Sequence, residues 1–373
     1  MSERHGAGDG TRAVHAGQPP AVQGEPFLPG PTFAAPFHAA GDPHAVAYSY
    51  GRHHNPTWSR YEAALGELEG GQAVAFASGM AAVTAIMLPA LRPGDVLVAP
   101  SDCYMSVRTI AEEHLAGRGV DVRLVPSQTD ALLEALDGAR LLWLESPSNP
   151  GLDVVDLPLL IERGHEAAAL VAVDNTLATP FGQQPLELGA DFSMASDSKH
   201  ISGHSDLVLG HVATSDPALG EQVVHWRTHT GSIPGPFEAW LAHRSLATLD
   251  VRLERECANA LAIAEYLGGR TDVQGVRYPG LPGDAAYELA DRQMNRFGTV
   301  LGFEVEGAER ADAFLEGCEL VAGATSFGGV HTSAERRGRW GRDVVAPGFI
   351  RLSAGCEDAD DLIADIGAAL DSL

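Results

Sequence analysis

The chain has 373 residues, 45% hydrophobic and 20% charged, a balance that excludes a disordered chain and points to two or three domains. Its formal net charge of −25 should repel phosphate backbones and anionic lipid, which sets aside nucleic-acid partners and a membrane-surface role. No run approaches the ~18 apolar residues of a membrane span, the N-terminus lacks the apolar core of a signal peptide, and Cys103, Cys257, Cys318 and Cys356 form no CxxC pair, so reduced thiols in a cytoplasmic protein are expected.

Residues 1–47, rich in Gly, Pro, Ala and His, show no period and read as an extended arm. From about residue 58 helices and short apolar strands alternate. WSRYEAALGELEGG reads as an amphipathic helix ending in Gly, AVAFAS (73–78) as a strand and MAAVTAIMLPAL (80–91) as a helix. DVLVAP (95–100), DVRLVP (121–126), LLWLES (141–146), LVAVDN (170–175), DFSMAS (191–196) and LVLGHVAT (207–214) follow as strands, with helical stretches between several of them. Apolar strands alternating with helices predict an α/β fold whose central sheet is mostly parallel and buried on both faces. From about 238 a long helical run, EAWLAHRSLATLDVRLERECANALAIAEYLGG, opens a smaller α+β region that closes on EDADDLIADIGAALDSL.

Ligands of open parallel sheets sit beyond the carboxyl ends of the strands. Ser78-Gly79-Met80 follows one strand and opens a helix, where freed backbone N–H groups can hold an anion. Asp174 ends another strand, either capping a turn or facing a cation such as a protonated ring nitrogen. Asp197-Ser198-Lys199-His200 follows a third. Of the 25 basic residues, Lys199 is the sole lysine. Arg can replace any lysine needed only for charge, but it makes no imine, so a lone survivor flanked by Ser196 and Ser198 suits a ligand bearing a carbonyl and a phosphate ester. No GxGxxG follows a strand and no GxxxxGK[ST] occurs. His200 and His204 lack the HExxH or Cys context of a metal site, and no metal is expected.

YSYGRHHNPTWSRYE, FASGMAAV, ESPSNPG, VDNTLATP, SDSKHISGHSDLVLG, HRSLATLDVR, YPGLP and FIRLSAGCED occur in this order. In that order and spacing the chain, from about residue 11 to its end, resembles the Cys/Met-metabolism pyridoxal-phosphate (PLP) enzymes. That group contains cystathionine γ-lyase, cystathionine γ-synthase, cystathionine β-lyase and methionine γ-lyase. The resemblance implies a fold-type-I PLP enzyme with an arm (1–47), a large PLP-binding domain (48–240) and a C-terminal substrate domain (241–373). Lys199 would hold PLP as an imine and act as the base. Asp174 would pair with the pyridine nitrogen, and Tyr104 would stack on the ring and assist proton transfer. Gly79, Met80, Ser196 and Ser198 would hold the phosphate, while Tyr50 and Arg52 would reach the phosphate of a neighbouring subunit in a homotetramer, a dimer of dimers. Arg351 would clamp the substrate carboxylate, with Asn149 and Ser326 beside it.

The implied reaction is α,γ-elimination on a small sulfur amino acid, first of all cystathionine to cysteine, 2-oxobutanoate and ammonia. The alternatives are a methionine γ-lyase, γ-replacement of the cystathionine γ-synthase type, or a relative recruited to a specialised pathway. A non-catalytic scaffold that kept the fold is disfavoured, because it has no need of Lys199, Asp174, Tyr104 and Arg351 together. Some positions depart from the family pattern. Met105-Ser106-Val107 follow Tyr104, where relatives often carry small residues and a Thr. Thr325 and Ser49 stand where cystathionine-handling members commonly have acids, so the substrate-binding position Thr325 should make the site more permissive. His331 also replaces an acid, and the Arg-rich 335–342 segment either attracts an anionic group or caps the surface.

Overall fold

The computed structural model describes residues 7–42, 45–341 and 343–373. Among these the first sheet has seven strands: β1 (Gln72–Phe76), β2 (Val96–Pro100), β3 (Asp121–Val125), β4 (Ala139–Glu145), β5 (Leu170–Asp174), β6 (Phe192–Ala195) and β7 (Gly210–Thr214). Their order is β1-β7-β6-β5-β4-β2-β3. From β3 through β2, β4 and β5 to β6 the pairing is parallel; β7 runs antiparallel to both β6 and β1. The continuous apolar runs of the sequence have their cause here, because both faces are covered. Leu97, Trp143, Met194 and Val212 pack with helix α3 (Gly79–Ala90), while Val98, Leu142, Leu144 and Val171 pack with α6 (Leu157–Glu166). The predicted strand 207–214 starts only at Gly210. Leu209 instead exchanges two hydrogen bonds with the Ser198 hydroxyl, accepting one at 3.1 Å and donating one at 3.0 Å.

The expected arm departs from extended structure at α1 (Asp9–His15). Ala13 and Ala16 are buried, and Arg12 Nη2 donates to the carbonyls of Glu67 (3.2 Å) and Leu68 (2.9 Å) on α2 (Pro56–Glu69). A seven-residue helix is too short to print a period, and it persists by docking. Between α1 and α2 the described residues form no α-helix, and their only β pairing is an isolated bridge of Pro36 to Tyr50. Asn55 caps α2 by accepting the N–H of Thr57, and Gly70 ends it in the left-handed region at φ 79°.

The long helical run is two helices, α9 (Pro236–Leu246) and α10 (Leu249–Gly268). Leu246, Leu249 and Leu253 join the core beneath α2, whereas Ala260, Ile263 and Leu267 join the core of the second sheet, so α10 belongs to both. That sheet, β10 (Ala322–Gly323), β11 (Ser333–Arg336), β12 (Phe349–Ser353), β9 (Val300–Glu304) and β8 (Gln274–Arg277) in spatial order, is antiparallel except for β10 with β11. Helix α13 (Ala359–Asp371) closes its core with Leu362, Ile366 and Leu370. No helix among the described residues is long and apolar enough to cross a membrane.

One seam between α2 and β7 is ionic rather than apolar. His211 bonds Asp197 Oδ1 through Nδ1 (2.6 Å) and Glu69 Oε1 through Nε2 (3.1 Å), with all three side chains fully buried. Burial opposes a charge on this ring, but the two carboxylates outweigh it and push its pKa from 6.5 up to about 10. A raised folded-state value stabilises the fold fully below pH 6.5, and the contribution disappears as pH rises through about 10. His200 acts oppositely. Burial and Arg252 lower its pKa from 6.5 to about 4, so its contribution is present above 6.5 and is lost as pH falls toward 4. Melting curves between neutral pH and pH 10 should therefore show a wild-type advantage over His211→Phe that shrinks with rising pH; a gap that stays constant across that range would refute the charged ring.

Candidate active site

A cavity of about 710 Å³ opens at the carboxyl ends of β1, β4, β5 and β6, against the second sheet. Lys199, Asp174, Tyr104, Gly79, Met80, Ser196, Ser198, Asn149, Thr325, Ser326 and Arg351 all line it. Tyr50 and Arg52 do not. Arg52 Nη1 donates to the Thr228 carbonyl at 2.8 Å, and its guanidinium lies 5.7 Å from the Tyr50 ring, both outside the cavity.

Two strand-to-helix turns make one wall. Ser78 caps α3 by accepting the N–H of Ala81 (3.1 Å), leaving the first-turn N–H groups of Gly79 and Met80 beside the cavity. The Ser196 turn presses against this one. A Cβ on Gly79 would lie 2.8 Å from Ser196 Cβ, which only glycine avoids. The Ser196 hydroxyl and the helix terminus form an anion cradle. Ser198 lines it too, but its hydroxyl is committed to Leu209.

Asp174 and Glu145 end adjacent strands in register and both line the cavity. Asp174 Oδ1 accepts the N–H of Thr176 (3.0 Å), and Thr176 Oγ1 accepts the N–H of Ser196 (2.8 Å), which ties the acid to the cradle. Burial raises the pKa of Asp174, against the Thr176 hydrogen bonds and the pull of Lys199. A buried carboxylate held by Thr176 alone suits a cationic ring nitrogen as its further partner. Glu145 accepts the N–H groups of Tyr104 (2.8 Å) and Asn149 (3.0 Å), fixing two cavity segments at once. Burial and Asp174 raise its pKa well above the ordinary range. Sequence reading missed Glu145, although it carries the signal that exposed Asp174, an acid ending an apolar run.

Lys199 Nζ donates to Ser326 Oγ at 2.8 Å and lies 5.3 Å from the Phe327 ring. Burial and the charge of Arg351 lower its pKa, opposed by Asp174. Ser326 itself has φ 81°, unusual for a residue with a side chain. Arg351 on β12 donates to Asn149 Oδ1 (2.7 Å), the Ser326 carbonyl (2.9 Å) and Glu335 Oε2 (3.2 Å). Burial and Arg337 lower its pKa to about 10, opposed by Glu335.

The Arg-rich segment is built around Glu335, which the sequence did not single out. Its carboxylate accepts from Arg337 (2.8 Å), Arg339 (2.8 Å) and Trp340 Nε1 (2.8 Å), and also from Thr325 Oγ1 at 3.4 Å. Arg337 lines the cavity but is paired with Asp343 as well (2.6 and 2.9 Å). Of this segment, Arg342 lies outside the described residues. No cluster of three or more His, Cys, Asp or Glu that could hold a metal occurs among the described residues.

An amine, a buried acid, a helix terminus beside a serine hydroxyl and a buried guanidinium in one cavity fit a pyridine carbonyl with a phosphate arm. The chain is matched over residues 10–371 by the family model of the Cys/Met metabolism PLP-dependent enzymes, and it belongs to that family. A Streptomyces coelicolor protein that bears the name cystathionine gamma-lyase provisionally is 55% identical over 98% of this chain and 94% of its own length. The solved cystathionine gamma synthase of Xanthomonas oryzae pv. oryzae, in complex with cystathionine, superposes with a TM-score of 0.94 at 35% identity, covering 98% of each chain. CalE6, a methionine gamma lyase from Micromonospora echinospora, superposes at 0.92 with 35% identity, covering 98% of this chain and 100% of its own. The cofactor is therefore PLP, and the residues present fit it: Gly79, Met80 and Ser196 would hold its phosphate, Asp174 its ring nitrogen and Lys199 its carbonyl carbon.

Borohydride reduction of the PLP-loaded protein followed by peptide mapping should place the label on Lys199; cofactor bound without a label there would refute the assignment. Asp174→Asn, nearly isosteric, should lower kcat by orders of magnitude with PLP still bound; near-normal kcat would remove Asp174 from the site.

Proposed function

We propose that the chain is a carbon–sulfur lyase performing α,γ-elimination on a sulfur amino acid, with cystathionine as its first substrate. The observation that carries this reading is the convergence of Lys199, Asp174, Tyr104 and Arg351 on one cavity large enough for cofactor and amino acid together. Bound there, PLP supplies an electron sink for the electrons released at the substrate α-carbon. Arg351, oriented by Asn149 and the Ser326 carbonyl, binds the α-carboxylate. Lys199 Nζ, freed once the substrate amine takes its place on the cofactor, would be the base. Burial and Arg351 lower its pKa, and Ser326 Oγ would hold it while it takes the proton from Cα, hands that proton on, and then takes one from Cβ. Asp174 would keep a proton on the ring nitrogen, and Tyr104, anchored through its N–H by Glu145, would flank the cofactor and serve the proton transfers. Loss of the sulfur group from Cγ and hydrolysis yield cysteine, 2-oxobutanoate and ammonia.

The distal half of the substrate is read weakly. Thr325 carries no charge, and the acid it touches, Glu335, is held by three arginines and does not line the cavity. A distal ammonium therefore lacks the charge-assisted bond, of about 1.5–3 kcal/mol, that a free acid would give it. This favours a permissive site, and it keeps methionine γ-lyase and γ-synthase-type chemistry as the second reading. Product analysis over cystathionine, homocysteine, methionine and O-acylated homoserines should show cystathionine cleaved, with homocysteine approaching it in kcat/KM. A panel in which only an acylated homoserine plus a thiol reacts would establish replacement instead. Thr325→Glu should raise the ratio for cystathionine over homocysteine by about tenfold; an unchanged ratio would show that position 325 does not face the distal group.

We infer further that Tyr50 and Arg52 complete the phosphate site of a neighbouring copy in a homotetramer, with residues 48–240 as the cofactor domain and 241–373 as the substrate domain. In support, both residues lie outside their own cavity, on a segment whose Phe27 and Phe33 are 89% and 72% exposed. Mixing inactive Arg52→Ala with inactive Lys199→Ala under conditions that exchange subunits should restore partial activity. A fully active monomer at sedimentation equilibrium would refute the shared site.

A further inference from the structure

Asp197 lies between Ser196 and Ser198, two residues before Lys199, yet it takes no part in lining the cavity. Its side chain is fully buried and points to the other side of the turn, where both oxygens are used. Tyr61 OH donates to Oδ2 at 2.8 Å, and His211 Nδ1 donates to Oδ1 at 2.6 Å. His211 Nε2 continues to Glu69 Oε1 at 3.1 Å. A ring that donates from both nitrogens is an imidazolium. Tyr61 and Glu69 come from α2 and His211 from β7, so three charged groups and a phenol meet in a space without water-exposed surface.

Such a cluster is costly to bury, and apolar side chains of similar volume would stabilise the same seam at least as well. The turn needs no help merely to exist, since Lys199 N–H already bonds the Ser196 carbonyl (3.1 Å) and Ser202 N–H the Asp197 carbonyl (3.0 Å). What the cluster adds is position. Through Asp197 it fixes the Ser196 half of the cradle. Through the β7 backbone it fixes the other half, because Gly210, next to His211, packs on Gly79. A Cβ at Gly210 would lie 2.6 Å from Gly79 Cα and 2.7 Å from its nitrogen. One buried imidazolium thus sets the spacing of the helix terminus and the hydroxyl between which an anion would sit. Donors held in place before the ligand arrives cost little to order on binding.

We propose that Asp197, gripped from behind by Tyr61 and His211, is a positioning residue that shapes the cradle for the phosphate of the cofactor. This rests on the reading of Gly79, Met80 and Ser196 as that cradle. The test compares two probes on the full-length protein stripped of cofactor, pyridoxal phosphate and pyridoxal, which lacks the phosphate. Dissociation constants are measured for wild type, Asp197→Ala and the milder Tyr61→Phe, which keeps the ring and removes one hydroxyl. In Asp197→Ala the constant for pyridoxal phosphate should rise about tenfold while that for pyridoxal stays unchanged. Tyr61→Phe should move the same ratio in the same direction by less, and it decides the matter if Asp197→Ala does not fold. Equal weakening of both probes, or of neither, would overturn the proposal, since a merely structural role does not distinguish the two. A wild type that binds pyridoxal as tightly as its phosphate would instead refute the cradle itself, and with it the inference.

Discussion

The site depends on keeping a carboxylate, an amine and a guanidinium together in one poorly hydrated cavity. Asp174, Lys199 and Arg351 all line it, and burial drives each toward its neutral form. Buried charges at short range interact strongly, and Lys199 feels both of the others. Asp174 supports the charge of Lys199, while Arg351 opposes it. The outcome suits an amine that must shed its proton easily beside a guanidinium that must keep its own. Replacing Asp174 or Arg351 alters the balance at Lys199.

The same constraint explains why the cavity joins the two sheets so firmly. Arg351 on the second sheet reaches Asn149 in the turn after β4 of the first, and Asn149 shares Glu145 with Tyr104. On the other side Arg351 meets Glu335, which meets Arg337, which meets Asp343, and Asp343 pairs with Arg108 on the short helix α4 (Met105–Thr109) that follows Tyr104. The contacts close a ring around the Arg351 end of the cavity. Arg337 also shares Glu335 Oε2 with Arg351, so that acid does not neutralise Arg351 alone.

Much of this was readable in the chain because it rests on local pattern. Buried parallel strands print as apolar runs, and the lone lysine betrays a need for an amine that arginine cannot meet. Eleven of the thirteen residues proposed for the site line a single cavity, while Tyr50 and Arg52 lie outside it. The rest was hidden because its meaning is tertiary. Glu335 is one acid in an arginine-rich stretch until β11 sets it opposite Arg351 in register. Tyr61, Glu69, Asp197 and His211 are far apart in sequence and meet only where α2 crosses β7. Helix α1 was missed because its stability comes from docking, not from its own seven residues.

The central proposal is electrostatic: Asp174 would hold a proton on the ring nitrogen of PLP and so make the ring an electron sink at neutral pH. Nitrogen NMR of the protein reconstituted with PLP isotope-labelled at the ring nitrogen measures this directly. The account predicts the chemical shift of a protonated pyridinium throughout the neutral range, reverting to that of a neutral ring in Asp174→Asn. A neutral-ring shift in the wild-type protein would contradict it.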